Sequence, residues 1–270
     1  MKLTTPSFNQ KIFIQFMNRF HLTLYSINLF IFCFLVCHCA FALTPKTTLE
    51  IFPNTNSEFF RFNLIYGEVQ NLYGLNIGTV NEIKGRMIGA QVGIFNKSTG
   101  QTTGLQLAVI NVSGEKLLGI QVGLVNYIEG ASVGLQAGIV NLGKDRSSGV
   151  ELTIGLVNYK TGSLTIGISN FLSKGINVAL YNQNVVGFNF GILNLYSEGI
   201  SLGIFNIGNQ EIGDTQIGLI NLSNVSKKST VQFGILNLSN TFEKSKIQYG
   251  LLNVCLGKKF STTIGLNYCE

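Results

Sequence analysis

Apolar and polar residues alternate with a period of two along most of the chain after residue 42. In "GIQVGLVN", residues 119–126, Ile120, Val122 and Leu124 are large and apolar, and Gln121 lies between the first two. The same phase returns at Phe188, Phe190 and Ile192 around Asn189, and at Ile247, Tyr249 and Leu251 around Gln248. Such alternation describes β-strands. Between these segments stand short words such as "KSTGQT", "YIEGAS" and "YKTGSL". Their Ser, Thr and Gly residues suit backbone reversal. No helical periodicity is present after residue 42, so the pattern predicts an all-β chain.

The alternation is also an internal repeat. The segments align on the central glycine of x-Q-x-G-x-x-N, taken here as position 0. Fourteen copies follow, centred on residues 78, 93, 108, 123, 138, 155, 167, 179, 191, 203, 218, 234, 250 and 265. Alanine takes the central place at Ala108 and Ala179. Four spacings of 15 precede one of 17 and four of 12, and the last four are 15 or 16. Asparagine stands at +3 in thirteen copies, whereas the last has Tyr268. Positions −3, −1 and +1 are apolar, and −2 is usually Gln or Asn. "FNLIYGEVQ", around Gly67, reads as a degraded opening copy.

Two all-β architectures accommodate this repeat. One is a β-solenoid of about 14 short repeats, each stacked parallel on the one before. The other is an antiparallel outer-membrane barrel of 14–16 strands, with the −3, −1 and +1 side chains facing lipid and Gln, Gly and Asn lining the lumen. Three features favour the solenoid. Loop lengths do not alternate between short and long. Glycine-to-glycine pairing leaves little of the stagger that barrel closure requires. Each segment also has a direction, Gln before Gly and Asn after. Parallel stacking places like on like, so Asn96, Asn111, Asn126 and Asn141 are expected to form one amide ladder, and Gln106, Gln121 and Gln136 another. A 12-residue copy is too short for a flat complete coil. Either the coil bends inside the motif, where +1 and +2 are both apolar and the inward phase slips, or each copy is half a coil.

Residues 1–42 differ in character. Lys2, Lys11 and Arg19 precede the apolar run Leu29–Ala42, which ends Ala40-Phe41-Ala42. A basic start, a short apolar run and an A-x-A end describe a cleavable secretory signal. An uncleaved anchor and a lipoprotein at Cys37 or Cys39 are the alternatives, and Met17 is a second candidate start. The expected organisation is a signal at 1–42, a lead-in at 43–61 and a repeat domain at 62–270. Cleavage after Ala42 removes three of the 19 basic residues and no acidic one, leaving a net charge of +3. That is too weak a field to argue for a nucleic-acid partner.

Cys255 and Cys269 then remain as an even pair in an oxidising compartment. They sit at +5 and +4 of the last two copies. In one-copy coils they stack on adjacent rungs within disulfide reach. In a hairpin, residue 255 would face about residue 260, far from 269. Two free thiols are the other reading.

Chemistry is scarce. Both histidines, His21 and His38, fall in the signal, so a histidine-based triad or zinc site has no residues to build it. Glu198, Glu211 and Asp214 lie close in sequence, but in or near turns, where solvated charge is the ordinary explanation. "NVSKKST", residues 224–230, reads as a solvated basic turn. No cofactor and no enzymatic activity are expected.

The words "GLQLAVIN", "GIQVGLVN", "GLQAGIVN" and "VQFGILN" resemble a short surface repeat of spirochaete proteins of the Leptospira type. The resemblance spans residues 62–268. It implies an exported protein of the outer membrane or cell surface and supplies no catalytic residues. The copies at 164–206 depart from it, being shorter and mostly without Gln. The reading is of a non-enzymatic scaffold or adhesin-like binding module, with an outer-membrane channel as the alternative. Its expected partners are the envelope surface, an extracellular macromolecule, or further copies joined through exposed end rungs.

Overall fold

The computed structural model describes residues 39–50, 55–144, 150–208, 214–224, 230–240, 246–256 and 260–269. Most of the expected signal lies outside these residues, including Met17 and Cys37. Glu211 and residues 225–229 of the basic turn lie outside them too. Among the described residues every regular element is a strand. In chain order these are β1 (Cys39–Thr44), β2 (Thr47–Glu50), β3 (Ser57–Val69), β4 (Asn71–Ile83), β5 (Met87–Ser98), β6 (Gln101–Leu107), β7 (Ile110–Ser113), β8 (Lys116–Ile128) and β9 (Ala131–Gly143). They continue as β10 (Glu151–Tyr159), β11 (Leu164–Phe171), β12 (Lys174–Gln183), β13 (Val186–Gly208), β14 (Asp214–Ser223), β15 (Thr230–Ser239), β16 (Lys246–Cys255) and β17 (Ser261–Cys269).

From β3 to β16 successive copies pair in parallel, and like meets like. Gln121 lies on Gln136, Gly123 on Gly138 and Asn126 on Asn141. The same pairing holds from Gln216, Gly218 and Asn221 through Gln232, Gly234 and Asn237 to Gln248, Gly250 and Asn253. The chain is therefore a β-solenoid, and the antiparallel barrel is set aside: its strands would alternate in direction.

Each copy is one complete coil, bent inside the motif. Rung-to-rung pairing runs through position 0, skips +1 and resumes at +2, as in Gly123↔Gly138 followed by Val125↔Val140. Where alanine replaces the central glycine at 108, the strand parts there into β6 and β7. The 12-residue coils turn more tightly. Their +5 residues Lys160, Leu172, Asn184 and Tyr196 take φ of 52 to 54°, in the left-handed region that non-glycine residues seldom enter. Gly187, at −4, has φ 124° and also lies against the Gly175 carbonyl of the rung below. A side chain there would meet both obstacles.

The inward phase is the opposite of a conventional core. Gln121 and Asn126, at −2 and +3, are fully buried, while Ile120 and Leu124, at −3 and +1, are 41% and 50% exposed. In the 12-residue coils three positions point inward, −2, +3 and +6, exemplified by Asn189, Asn194 and Ser197. Apolar side chains enter mainly at the corners of the wider coils, such as Leu72, Ile83 and Met87, and in the 12-residue coils at Val185. The slip of phase at +1 and +2 thus brings apolar residues to the outside of the bend, not to the inside. A coil of 12–15 residues encloses a narrow space, and stacking repeats it about every 4.8 Å. Planar amides fill that space and hydrogen-bond along it.

The final copy is reversed. β17 runs antiparallel to β16, with Gly250 on Gly265 and Cys255 on Ser261. Uniform polarity therefore stops one copy short of the C-terminus, at the copy that lacks Asn at +3. Cys255 and Cys269 form a disulfide with a Cα–Cα distance of 5.7 Å. The expectation that a hairpin separates them fails because β16 is itself a coil, whose bend brings its two ends together. The N-terminal end is built alike: β1 lies parallel on β3, and β2 reverses against β1. Residues 39–42, placed in the signal by sequence, thus pair with the first rung.

Two outcomes test this architecture. Asn126→Leu leaves Asn111 Nδ2, Asn141 Oδ1 and the Ala137 carbonyl without their partner and should cost about 3 kcal/mol. Denaturant unfolding in detergent measures it, with Leu124→Asn, on the exposed face, as the near-neutral comparison. Cys269→Ser should accelerate amide hydrogen exchange in β17 and leave β8 and β9 unchanged, because each rung contacts only its neighbours.

Candidate functional site

The interior is a pair of amide columns. Asn81 Nδ2 donates to Asn96 Oδ1 at 2.8 Å, and the column continues through Asn111, Asn126, Asn141 and Asn158 to Asn170 at 2.9–3.2 Å. It resumes at Asn182 and runs through Asn194, Asn206, Asn221 and Asn237 to Asn253. Between the two runs, Asn170 Nδ2 donates to backbone carbonyls and Asn182 Oδ1 accepts no bond. From Asn81 to Asn237 each Asn also donates to the −1 carbonyl of the next rung, as Asn126 does to Ala137 O at 2.9 Å. This carbonyl precedes the bend, where the backbone ladder is interrupted, and the amide closes the gap.

The glutamine column runs the other way. Gln106, Gln121 and Gln136 each donate toward the preceding rung, at 2.8, 2.7 and 3.0 Å. Gln232 and Gln248 do the same. In the 12-residue coils Thr165, Asn177, Asn189 and Ser201 hold the −2 place. These amides are neither solvent-accessible nor free to bind a ligand. They are the frame.

Charged groups cluster at the first rungs. Glu58 and Arg61 are buried and joined at 2.6 Å, and Arg61 Nε donates to Asn63 Oδ1 at 2.9 Å. Burial pushes the Glu58 carboxyl up to about 7, against the lowering effect of Arg61. Glu58 Oε2 accepts no hydrogen bond. Nearer the surface, Glu82 accepts from Tyr66 at 2.5 Å, Lys84 at 2.9 Å and Lys97 at 3.1 Å. Its burial acts to raise the pKa, but these three donors outweigh it and hold the carboxyl down at about 2. Among the described residues no three His, Cys, Asp or Glu side chains gather as a metal site. Glu198 in β13 precedes Gly199, which pairs with Asp214 at the start of β14.

The accessible chemistry is on the outside. From the copy at Gly78 to that at Gly250, no charged residue occupies −3, −1, +1 or +2. These positions make two faces that meet at the bend. From Ile94 to Leu251 the +1 row is Ile, Leu or Val in every coil and 40–65% exposed. Beside it runs a shallow groove with a floor of Gly138, Gly155 and Gly167 and walls that include Ile154, Leu156, Ile166 and Ile168. Like stacks on like here too: the Phe233 and Tyr249 rings, both at −1, lie 5.0 Å apart and 6° from parallel. The exposed charges, such as Arg86, Lys116, Glu129, Lys144 and Lys174, lie along the third side, where coil passes into coil.

Sequence reasoning found the ladder positions but missed which way the apolar rows face. The signal was the near-invariance of Asn at +3, since an exposed position would vary. The buried Lys246, whose Nζ donates to Ser223 Oγ at 3.0 Å, carries no such signature. Comparison with protein-family models, curated proteins and solved structures returns no match.

The Glu58 carboxyl gives a pH prediction. Its folded-state value of about 7 lies above the ordinary 4.5. Between those values the folded state holds a proton that the unfolded state has lost, so stability falls as pH rises. Glu58→Gln should flatten that decline, measured as the change in thermal midpoint between pH 5 and 7.

Proposed function

We propose that this chain is an exported, non-enzymatic repeat scaffold of the cell envelope, and that its two outer faces are its working surface. One observation carries the reading. The faces form a continuous apolar surface, with no charge at −3, −1, +1 or +2 from Gly78 to Gly250, far larger than the few hundred Å² that soluble monomers expose. A stack of equivalent rungs offers the same side chains at a fixed interval and suits extended contact better than a pocket does. The A-x-A end at Ala40–Ala42 supports export, and the resemblance to spirochaete surface repeats supports an envelope location. The disulfide fits an oxidising compartment.

A second reading of the N-terminus draws on a specific observation. Cys39–Ala42 pair with β3, and Ala40 and Ala42 are buried. Cleavage after Ala42 removes that cover from the first rung, whereas retention of the segment as an anchor keeps it.

Cell fractionation with surface proteolysis tests the location. The chain should appear in the envelope fraction and be cut by protease added to intact cells. Recovery in the cytoplasm with free thiols at Cys255 and Cys269 would overturn the proposal. The intact mass of the envelope form separates the two N-termini.

A further inference from the structure

We propose that the stack lies flat on a lipid layer, with its aliphatic bend row buried among acyl chains and its charged side turned to water. The inference rests on the envelope reading above and names the partner of those faces.

Four features point to lipid instead of a second protein surface. First is area. The rungs from Gly78 to Gly250 extend roughly 60 Å, and a five-residue face is about 16 Å wide, so each face offers roughly 900 Å²; the second face takes in +4, where the charges of the first two coils, Glu82 and Lys97, pair with each other. That area already matches the about 800 Å² per partner of a standard interface, and there are two faces diverging from one edge. A rigid second copy covers one and leaves the other wet, whereas a fluid layer covers both. Second is composition. Protein interfaces carry a polar rim around an apolar centre. Here the 52 positions at −3, −1, +1 and +2 hold no charge, and their few hydroxyl residues, Thr79, Ser169 and Thr215 with some tyrosines, form no rim.

Third is the backbone. In hydrocarbon every N–H and C=O must be satisfied within the protein. Rung-to-rung bonds do this along both faces. The bend is the exposed point of the coil, and there the Asn amide of the preceding rung supplies the missing bond to the −1 carbonyl, as at Val92, Val122 and Ile154. The column is thus placed where a lipid-facing chain needs it. Fourth is direction. A rod of roughly 60 Å is about twice the hydrocarbon thickness of about 30 Å. Its exposed charges run along about half of that length, from Lys84 and Arg86 through Glu129 and Lys144 to Lys174. Standing upright would draw those charges through hydrocarbon, whereas lying flat leaves them at the headgroups. Binding is therefore apolar in origin and needs no anionic lipid.

The chain contains no tryptophan, so a single added indole is a clean reporter. The full chain, released from detergent into phosphatidylcholine vesicles, should float with them equally in low salt and in 1 M salt. Ile139→Trp, in the bend row, should be quenched several-fold more by brominated acyl chains than Glu129→Trp, on the charged side. The triple variant Leu124→Asp, Ile139→Asp, Leu156→Asp alters only exposed side chains. It should keep its β-sheet circular dichroism and lose at least ten-fold in vesicle binding. Three results overturn the proposal. One is a chain that remains unbound as a monomer. Another is a dimer that shields Ile139→Trp without vesicles and does not float. The third is equal quenching of both reporters, which means immersion on all sides. A chain that fractionates with the envelope but does not bind vesicles refutes this inference alone, whereas a cytoplasmic chain refutes the envelope reading whatever the vesicles show.

Discussion

The fold depends on one interaction, the hydrogen bond from an asparagine amide to the identical amide one rung on. Amides stacked at strand spacing sit at hydrogen-bond distance with no adjustment of either side chain. Each Asn Nδ2 has two hydrogens, and the structure assigns both: Asn126 bonds Asn141 and the Ala137 carbonyl. A hydrophobic side chain in that place would leave the carbonyl at the bend unpaired, and an unsatisfied buried carbonyl costs more than a made bond returns. The asparagine is thus required by the backbone it repairs. This makes the bend possible, and the bend makes a 12-residue coil possible. The opposed directions of the two columns add a further consequence. Asn dipoles point toward one end and Gln dipoles toward the other, so the stack accumulates less net dipole than either column alone.

Much of this was legible in the sequence, for identifiable reasons. Recurrence of Gln, Gly and Asn at fixed offsets prescribes parallel in-register pairing, because only like-on-like stacking rewards sameness at each place. Asn96, Asn111, Asn126 and Asn141 stand in one column as that logic requires, and Gln106, Gln121 and Gln136 in the other. What the alternation could not say is which of its two phases faces inward. A period of two divides residues into two sets and is silent on which set is core. The habit of burying the apolar set would here place Leu124 inside and Asn126 outside, the reverse of what the coil adopts.

The ends were less legible because they break the repeat. The antiparallel β17 is also the copy without asparagine at +3. With Tyr268 at +3, the buried amide comes from Asn267, which donates to Gln248 Oε1 at 3.0 Å. A single residue out of phase gives little warning of a reversal of chain direction. The Cys255–Cys269 bond was legible as a pair and wrongly tied to strand direction. Once a strand curls through a full turn, its two ends are neighbours, and opposition along a hairpin no longer measures distance in space.

The junctions between coils have a consequence for how such chains arise. Copies of 12, 15, 16 and 17 residues sit in one stack without disturbing the −2, 0 and +3 registers, because the length differences fall between the paired segments. A duplicated or deleted copy therefore changes the object by one step of about 4.8 Å and alters nothing within its neighbours. Genes encoding this fold are free to lengthen or shorten by unequal recombination, so that extent becomes a trait selection adjusts in whole increments, like the marks of a ruler.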